Sequence, residues 1–242
     1  MRSTSNLLWP TTPFGAGQRP FGKDRPILAT VAVGWAGYVH RPTWACAVYL
    51  TTVSTRTLVL DGLQLNFGFE VLSGLEPESP TVMVQRLDNI LVACRRQAKI
   101  LAGHNLDPDL ARLASFATEG RRLPGVNTVR QQWVDRTTKG RGMARMLDTA
   151  HDLGQPQETD LAGVCERVAL KAATVADPDG SATAAATVRQ ALTRTLAIAL
   201  VAARASGRYD WTVPVDLDEL VSNAAWDRLE QLAGELPEVT AT

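Results

Sequence analysis

The densest group of side chains capable of chemistry lies in Ile100–Leu113, ILAGHNLDPDLARL, where His104, Asn105, Asp107 and Asp109 follow a short apolar run. A polar residue before a proline and an apolar-periodic stretch predicts a helix start. Asp107 is placed to cap it, Pro108 fits the first helical position, and Asp109 brings a negative charge to the first turn, where the helix dipole favours it. A second signature is electrostatic. Between Glu119 and Arg145 stand Arg121, Arg122, Arg130, Arg136, Lys139, Arg141 and Arg145 against only Glu119 and Asp135. Such a segment could track a phosphate backbone, with Trp133 as a stacking surface and Arg136, Lys139 and Arg141 as phosphate contacts. The C-terminal stretch from Asp210 onward is acidic, with Arg228 its single basic residue, and the two segments could instead neutralise one another. His40 and His151 have no partner at metal-ligand spacing, so no zinc site is predicted. Asp177-Pro178-Asp179-Gly180 lacks the later ligands of a calcium loop and reads as a turn. No phosphate-cradling glycine loop, nucleophile elbow or dinucleotide fingerprint is present.

The elements that must position these groups follow from patterning. Residues 1–25 crowd Pro10, Pro13, Gly15, Gly17, Pro20 and Gly22, which predicts a flexible or loosely docked arm. Ile27–Val33, Thr43–Leu50 and Arg56–Phe67 are short, apolar or β-branched and bounded by turn residues, so they predict three strands of an antiparallel meander. Thr81–Ala98 carries an amphipathic helical period, and Lys99–Ala102 is a fourth strand candidate. Beyond the Asp107 helix, Gln131–Asp135 reads as a short strand and Gly142–Leu153 and Asp160–Lys171 as helices. A long Ala-rich helix over about Ala184–Ala205 and an amphipathic Asp216–Leu236 follow. Strands first, then alternating helices and strands, predict an α/β fold with a mixed sheet.

The chain has 242 residues with 25 basic and 25 acidic side chains, which argues against a polybasic nucleic-acid wrapper. No apolar run reaches the roughly 18 residues needed to span a bilayer, and no signal-peptide stretch opens the sequence, so a soluble, cytoplasmic protein with no membrane partner is expected. Cys46, Cys94 and Cys165 are far apart in apolar surroundings and read as buried small hydrophobes, not as a disulfide or metal cage.

Ile100–Leu113 resembles the second motif of the DEDD proofreading 3′–5′ exonuclease superfamily, whose domain has an RNase H-like fold. In that motif a strand ends at a His-Asn pair and an Asp follows four residues after the Asn, here His104, Asn105 and Asp109. The resemblance implies that Asp109 helps hold a pair of divalent ions over the scissile phosphate. Weaker similarities follow in order. Trp133-Val134-Asp135 looks like the next strand, which in the family commonly ends in Asp-Thr, although Arg136 intervenes before Thr137. Asp160–Leu170 is similar to the helix ahead of the last motif, and Arg189–Thr195 is placed like that motif, where a His or Tyr and a later Asp are expected. The resemblance covers roughly residues 26–206 and implies an RNase H-like mixed β-sheet domain flanked by helices there, between the arm over 1–25 and a C-terminal helical extension over 207–242 that the patterning predicts.

The departures bear on activity. Thr30 and Ala32 occupy the places of the first Asp and Glu, and Arg189 and Arg194 those of the last His and Asp, which leaves Asp109 as the single retained acid. An arginine at a ligand position puts positive charge where the metal's charge would sit. A register starting at Leu58–Asp61 puts Leu63 at the Glu position and leaves too little chain before His104. The expectation is a catalytically inactive, exonuclease-like protein without a cofactor that binds single-stranded DNA or RNA, or a protein partner. Asp109 is its only candidate catalytic or metal-binding residue, and His104, Asn105, Trp133, Arg136, Lys139 and Arg141 are candidate substrate contacts. One alternative is an active exonuclease holding Mg²⁺ or Mn²⁺ through Asp61, Glu70 and Asp135 beside Asp109. Another is a protein-interaction module that uses the Ala-rich and C-terminal acidic helices.

Overall fold

Apolar residues on both faces of successive strands call for helices on both sides of a sheet. In a computed structural model that describes residues 1–7, 27–36, 41–53, 55–60, 65–74, 79–136, 143–153, 160–171 and 183–234, that is the arrangement. In chain order the elements are β1 (Arg2–Ser5), β2 (Ile27–Ala36), β3 (Arg41–Thr51), β4 (Leu58–Val59), β5 (Phe67–Ser73), α1 (Ser79–Gln97), β6 (Ile100–Gly103), α2 (Leu106–Ala114) and α3 (Pro124–Val134). They continue with β7 (Arg145–Asp148), α4 (Leu161–Arg167), β8 (Leu170–Lys171), α5 (Ala184–Ala205), β9 (Tyr209–Asp210), β10 (Val215–Asp216) and α6 (Leu217–Gly234). The main sheet has six strands in the order β1-β5-β3-β2-β6-β7. Its first four are antiparallel neighbours, whereas β6 runs parallel to β2 and β7 parallel to β6. The protein is therefore α/β with a mixed sheet, and no helix among the described residues is long and apolar enough to cross a membrane.

Strand alternation splits the core in two. Leu28 and Ala32 of β2, Trp44, Cys46, Val48 and Leu50 of β3, and Phe67, Phe69 and Val71 of β5 meet α5 on one face. Ala29, Val31 and Val33, with Ala45, Ala47 and Tyr49, meet α1, α2 and α3 on the other. Alanines at 191, 197, 199, 202 and 203 let α5 lie close against the strands, and Thr183 Oγ1 caps the helix by accepting from Ala186 N–H at 3.3 Å. Tyr209, Trp211, Val215, Leu217, Leu220, Val221 and Ala225 belong to that same core, so the part of the C-terminal extension that they span packs onto the sheet domain.

Several elements differ from the sequence expectation. The arm expected over 1–25 opens with a strand, β1, which pairs with β5 as the sheet's edge, and residues 8–26 lie outside the described residues. The third meander strand is β5; of the expected strand Arg56–Phe67, the described residues hold β4, two residues paired with β9, and Phe67, which opens β5, while 61–64 lie outside the described residues. The stretch expected as a strand at 131–135 is the end of α3, whose Val126, Val129 and Trp133 form a helical stripe into the core. Gly142–Leu153 contains β7 where a helix was expected, because Met146 and Leu147 enter opposite cores, a two-sided strand pattern. Asp160–Lys171 is only the short α4 followed by β8.

Between α4 and β8, Ala169 adopts φ 56°, where its Cβ is strained against its own backbone. Ala169→Gly removes that strain and gives back some unfolded-chain entropy, so a net gain of about 0.5–1 kcal/mol is expected. A higher urea midpoint at unchanged m-value checks it, and a loss of stability contradicts it.

Asp88 of α1 holds the start of α3 from outside. Its Oδ1 accepts from Val126 N–H at 2.8 Å, supplying the acceptor that the helix's own N-cap, Leu123, does not. Burial raises this carboxyl above its ordinary value of 3.8, opposed by the backbone bonds from Val126 and Gly125. A raised folded pKa means that the native state binds the proton more tightly than the unfolded chain does. The cost of the charge is therefore full above the raised value and is relieved as pH falls toward 3.8. Relative to Asp88→Asn, the wild type should gain stability on acidification, read from denaturant midpoints across pH. A difference that does not change with pH would count against it.

Candidate functional site

β6 and β7 end side by side, Gly103 level with Asp148, and the chain turns there through His104 and Asn105 into α2. Gly103 is required by close approach: a Cβ would stand 2.9 Å from the Leu106 side chain and 3.2 Å from the Trp133 ring. Asn105 occupies the N-cap position of α2 at φ 49°, ψ 46°, a left-handed conformation that Asn tolerates better than most residues. Asp107 is thus not the cap but an exposed residue of the first turn.

The corner is closed by Asp148, which is 1% exposed. Its Oδ1 accepts from Asn105 N–H at 2.9 Å and Ala150 N–H at 3.0 Å, and its Oδ2 from Trp133 Nε1–H at 3.2 Å. Thr149 Oγ1 lies 3.0 Å from His104 Nδ1 and 3.1 Å from Gly103 O. β7 thus ends in Asp148 followed by Thr149, while Asp135 is an exposed residue past the end of α3. The sequence signal for that strand end is Leu147-Asp148-Thr149, an apolar-to-polar step too short to separate a strand from a helix.

Asp109, half-buried in the first turn of α2, accepts from Trp35 Nε1–H at 2.8 Å. Arg112, one turn on, lies over the same indole, 5.5 Å from the ring centroid. One oxygen of the carboxylate is thus oriented by a donor from the protein itself.

The positions compared with the first two family acids lie on the α5 face of β2. Thr30 is level with Ala102 of β6, and Thr30 and Ala32 are 0% and 5% exposed. The same face is closed by Trp44, 0% exposed, whose indole fills the space that a side chain at Gly34 would need. Neither Thr30 Oγ1 nor Trp44 Nε1 has a hydrogen-bond partner among the described residues. Arg189 Nη1 donates to Ser222 Oγ at 3.2 Å, which turns it toward α6, and Arg194 is half-buried on α5. A threonine, an alanine and two arginines do not fit a pair of divalent cations, which demand hard oxygen ligands. Among the described residues no group of three or more His, Cys, Asp or Glu side chains could hold a metal ion.

The other sequence candidates are dispersed. Trp133 is 0% exposed and donates to Asp148, so it is a core residue and not a stacking surface; its helical stripe buries it. Arg136 bridges to Asp152 at 3.2 Å and donates to Trp133 O at 2.9 Å. Glu70, 1% exposed, pairs with Arg86 at 3.0 Å. Level with Ala47, it sits on the α1 face of the sheet, opposite to Thr30 and Ala32. Asp61, Lys139 and Arg141 lie outside the described residues.

No protein-family model matches the chain, and no curated protein is significantly similar to it.

Proposed function

We propose that the chain is a non-catalytic, exonuclease-like domain of RNase H-like fold that binds single-stranded nucleic acid without degrading it. The order of elements supports the fold. The resemblance calls for a first strand, two further strands and a helix ahead of the His-Asn strand, and β2, β3, β5 and α1 stand in that order ahead of β6. The details at strand ends agree with it: His104 and Asn105 follow β6, Asp109 lies in the first turn of α2, Asp148-Thr149 closes β7, and α4 precedes the long α5.

One observation carries the non-catalytic half. Thr30 and Ala32 do not border an open cleft that merely lacks ligands; they are enclosed with Trp44 in a packed apolar core. Two-metal hydrolysis needs several converging carboxylates around a space for two ions and a phosphate. Here Asp109 is committed to Trp35, and Glu70, on the other face, to Arg86.

The test is incubation of the purified protein with end-labelled single-stranded DNA and RNA in Mg²⁺ or Mn²⁺, beside Asp109→Asn, with digestion and mobility shift read together. A shift without shortening is expected. Stepwise shortening abolished by Asp109→Asn overturns the proposal in favour of a working exonuclease, and neither shift nor shortening transfers the binding role to a protein partner.

A further inference from the structure

The end of the sheet away from the His104 corner gathers cations that no part of the corner uses. β6 and β7 both begin there. Lys99 N–H donates to Ile27 O at 2.9 Å and Arg145 N–H to Lys99 O at 3.0 Å, so the backbones of Lys99 and Arg145 lie side by side. α1 ends next to them, where Arg95 O accepts from Ala144 N–H at 2.9 Å. The Arg95 side chain turns to Gln132 at 2.9 Å, while Arg96 is exposed. From the opposite layer comes Arg208, just past α5, tied to Ala203 O by its N–H at 2.8 Å and to Val53 O by Nη1 at 3.3 Å.

Desolvation first, and the positive charge of Arg208 second, hold the Lys99 ammonium below the usual lysine range. Lys99 and Arg208, which come from different layers, are therefore within electrostatic reach of one another. A helix C-terminus favours cations, which accounts for Arg96 and Arg208, at or just beyond helix ends. It does not account for Lys99 and Arg145, which open strands.

We propose that this basic end, formed by Arg96, Lys99, Arg145 and Arg208, is the surface along which the phosphate backbone of a single-stranded nucleic acid runs, at the far end of β6 and β7 from the His104–Asp109 corner. The proposal rests on the reading of the chain as a nucleic-acid-binding domain. Three of the four cations are arginines, whose planar forks match phosphate oxygens. They come from the last turn of α1, the residue before β6, the first residue of β7 and the turn after α5, so one end of the sheet offers several phosphates a cation each.

The experiment is fluorescence anisotropy of labelled single-stranded DNA and RNA oligonucleotides with the full chain. The variants are Arg96→Gln/Lys99→Gln/Arg145→Gln, all at exposed positions, and a corner variant, His104→Ala. The triple variant should bind roughly tenfold or more weakly, with the slope of log K against log salt reduced by about 2, and the corner variant should bind within about twofold of wild type. Circular dichroism and melting curves confirm that both remain folded. If the triple variant binds like wild type while His104→Ala does not, the strand lies at the corner. That overturns this inference and leaves the proposed function standing. If neither oligonucleotide binds at low salt, the inference and the binding half of the proposed function both fall. Equal binding of a polyglutamate competitor would assign the surface to an acidic protein segment. Preference between the DNA and RNA arms identifies the polymer.

Discussion

Thr30→Asp combined with Ala32→Glu, the substitution pair that would rebuild the first family motif, is expected to unfold the protein or nearly so, with no gain of nuclease activity. Both positions face the α5 core, and the described residues around them, Leu28, Trp44, Cys46 and Ala102, are apolar or nearly so. A carboxylate placed there loses its hydration among these residues, and the unpaired Trp44 Nε1–H could offset only part of that cost. Unpaired buried charges cost about 3–5 kcal/mol each, and two of them approach the whole stability of an ordinary domain. The carboxyls would escape part of this by taking up protons, so the loss should be largest at high pH. Denaturant unfolding of the two single variants and the double variant from pH 5 to 8 measures it. A stable double variant that binds Mn²⁺ would mean that the site is an intact metal cleft missing only its ligands.

Asp148→Ala should cost about 3 kcal/mol or more. The carboxylate gathers Asn105 N–H, Ala150 N–H and the Trp133 indole, groups from the turn into α2, the turn after β7 and α3. Truncation leaves buried donors without acceptors, each costing about 1–3 kcal/mol, and removes bonds that are stronger because the acceptor is charged. Asn105, in the left-handed region, depends on that acceptor to hold the turn. Asp148→Asn keeps the shape and one acceptor oxygen but presents an amide donor to donors, so it should recover only part of the loss. Thermal melts of both variants check the order, and equal stability of Asp148→Ala and wild type would show that the corner is held by packing alone.

The parts of the fold that can be read from the sequence are those whose environment is local. β2 and β3 are continuous apolar runs because both faces are covered, α1 and α5 carry long helical periods, and the His104-Asn105 corner follows a short apolar strand. β5 is obscured because Gly68 and Glu70 interrupt its pattern. A buried glutamate in a strand is tolerable only through Arg86, which α1 brings to it across the sheet. β7 has four residues, too few for a period to distinguish strand from helix. At the site, the absence of acids at positions 30 and 32 is visible in the residue types. The closing of the space by Trp44 follows from the pairing of Gly34 with Trp44, and the commitment of Asp109 depends on Trp35, which lies 74 residues away in the chain. Such long-range contacts leave no local sequence signal.

Our proposal that protein side chains fill the place of a two-metal centre calls first for titrating Mn²⁺ into the metal-free protein and following the free ion by electron paramagnetic resonance. No saturable binding at micromolar Mn²⁺ is expected, and Asp109→Asn should be indistinguishable from wild type. Uptake of two Mn²⁺ ions per chain, lost in Asp109→Asn, would contradict the proposal and favour a working metal-dependent exonuclease.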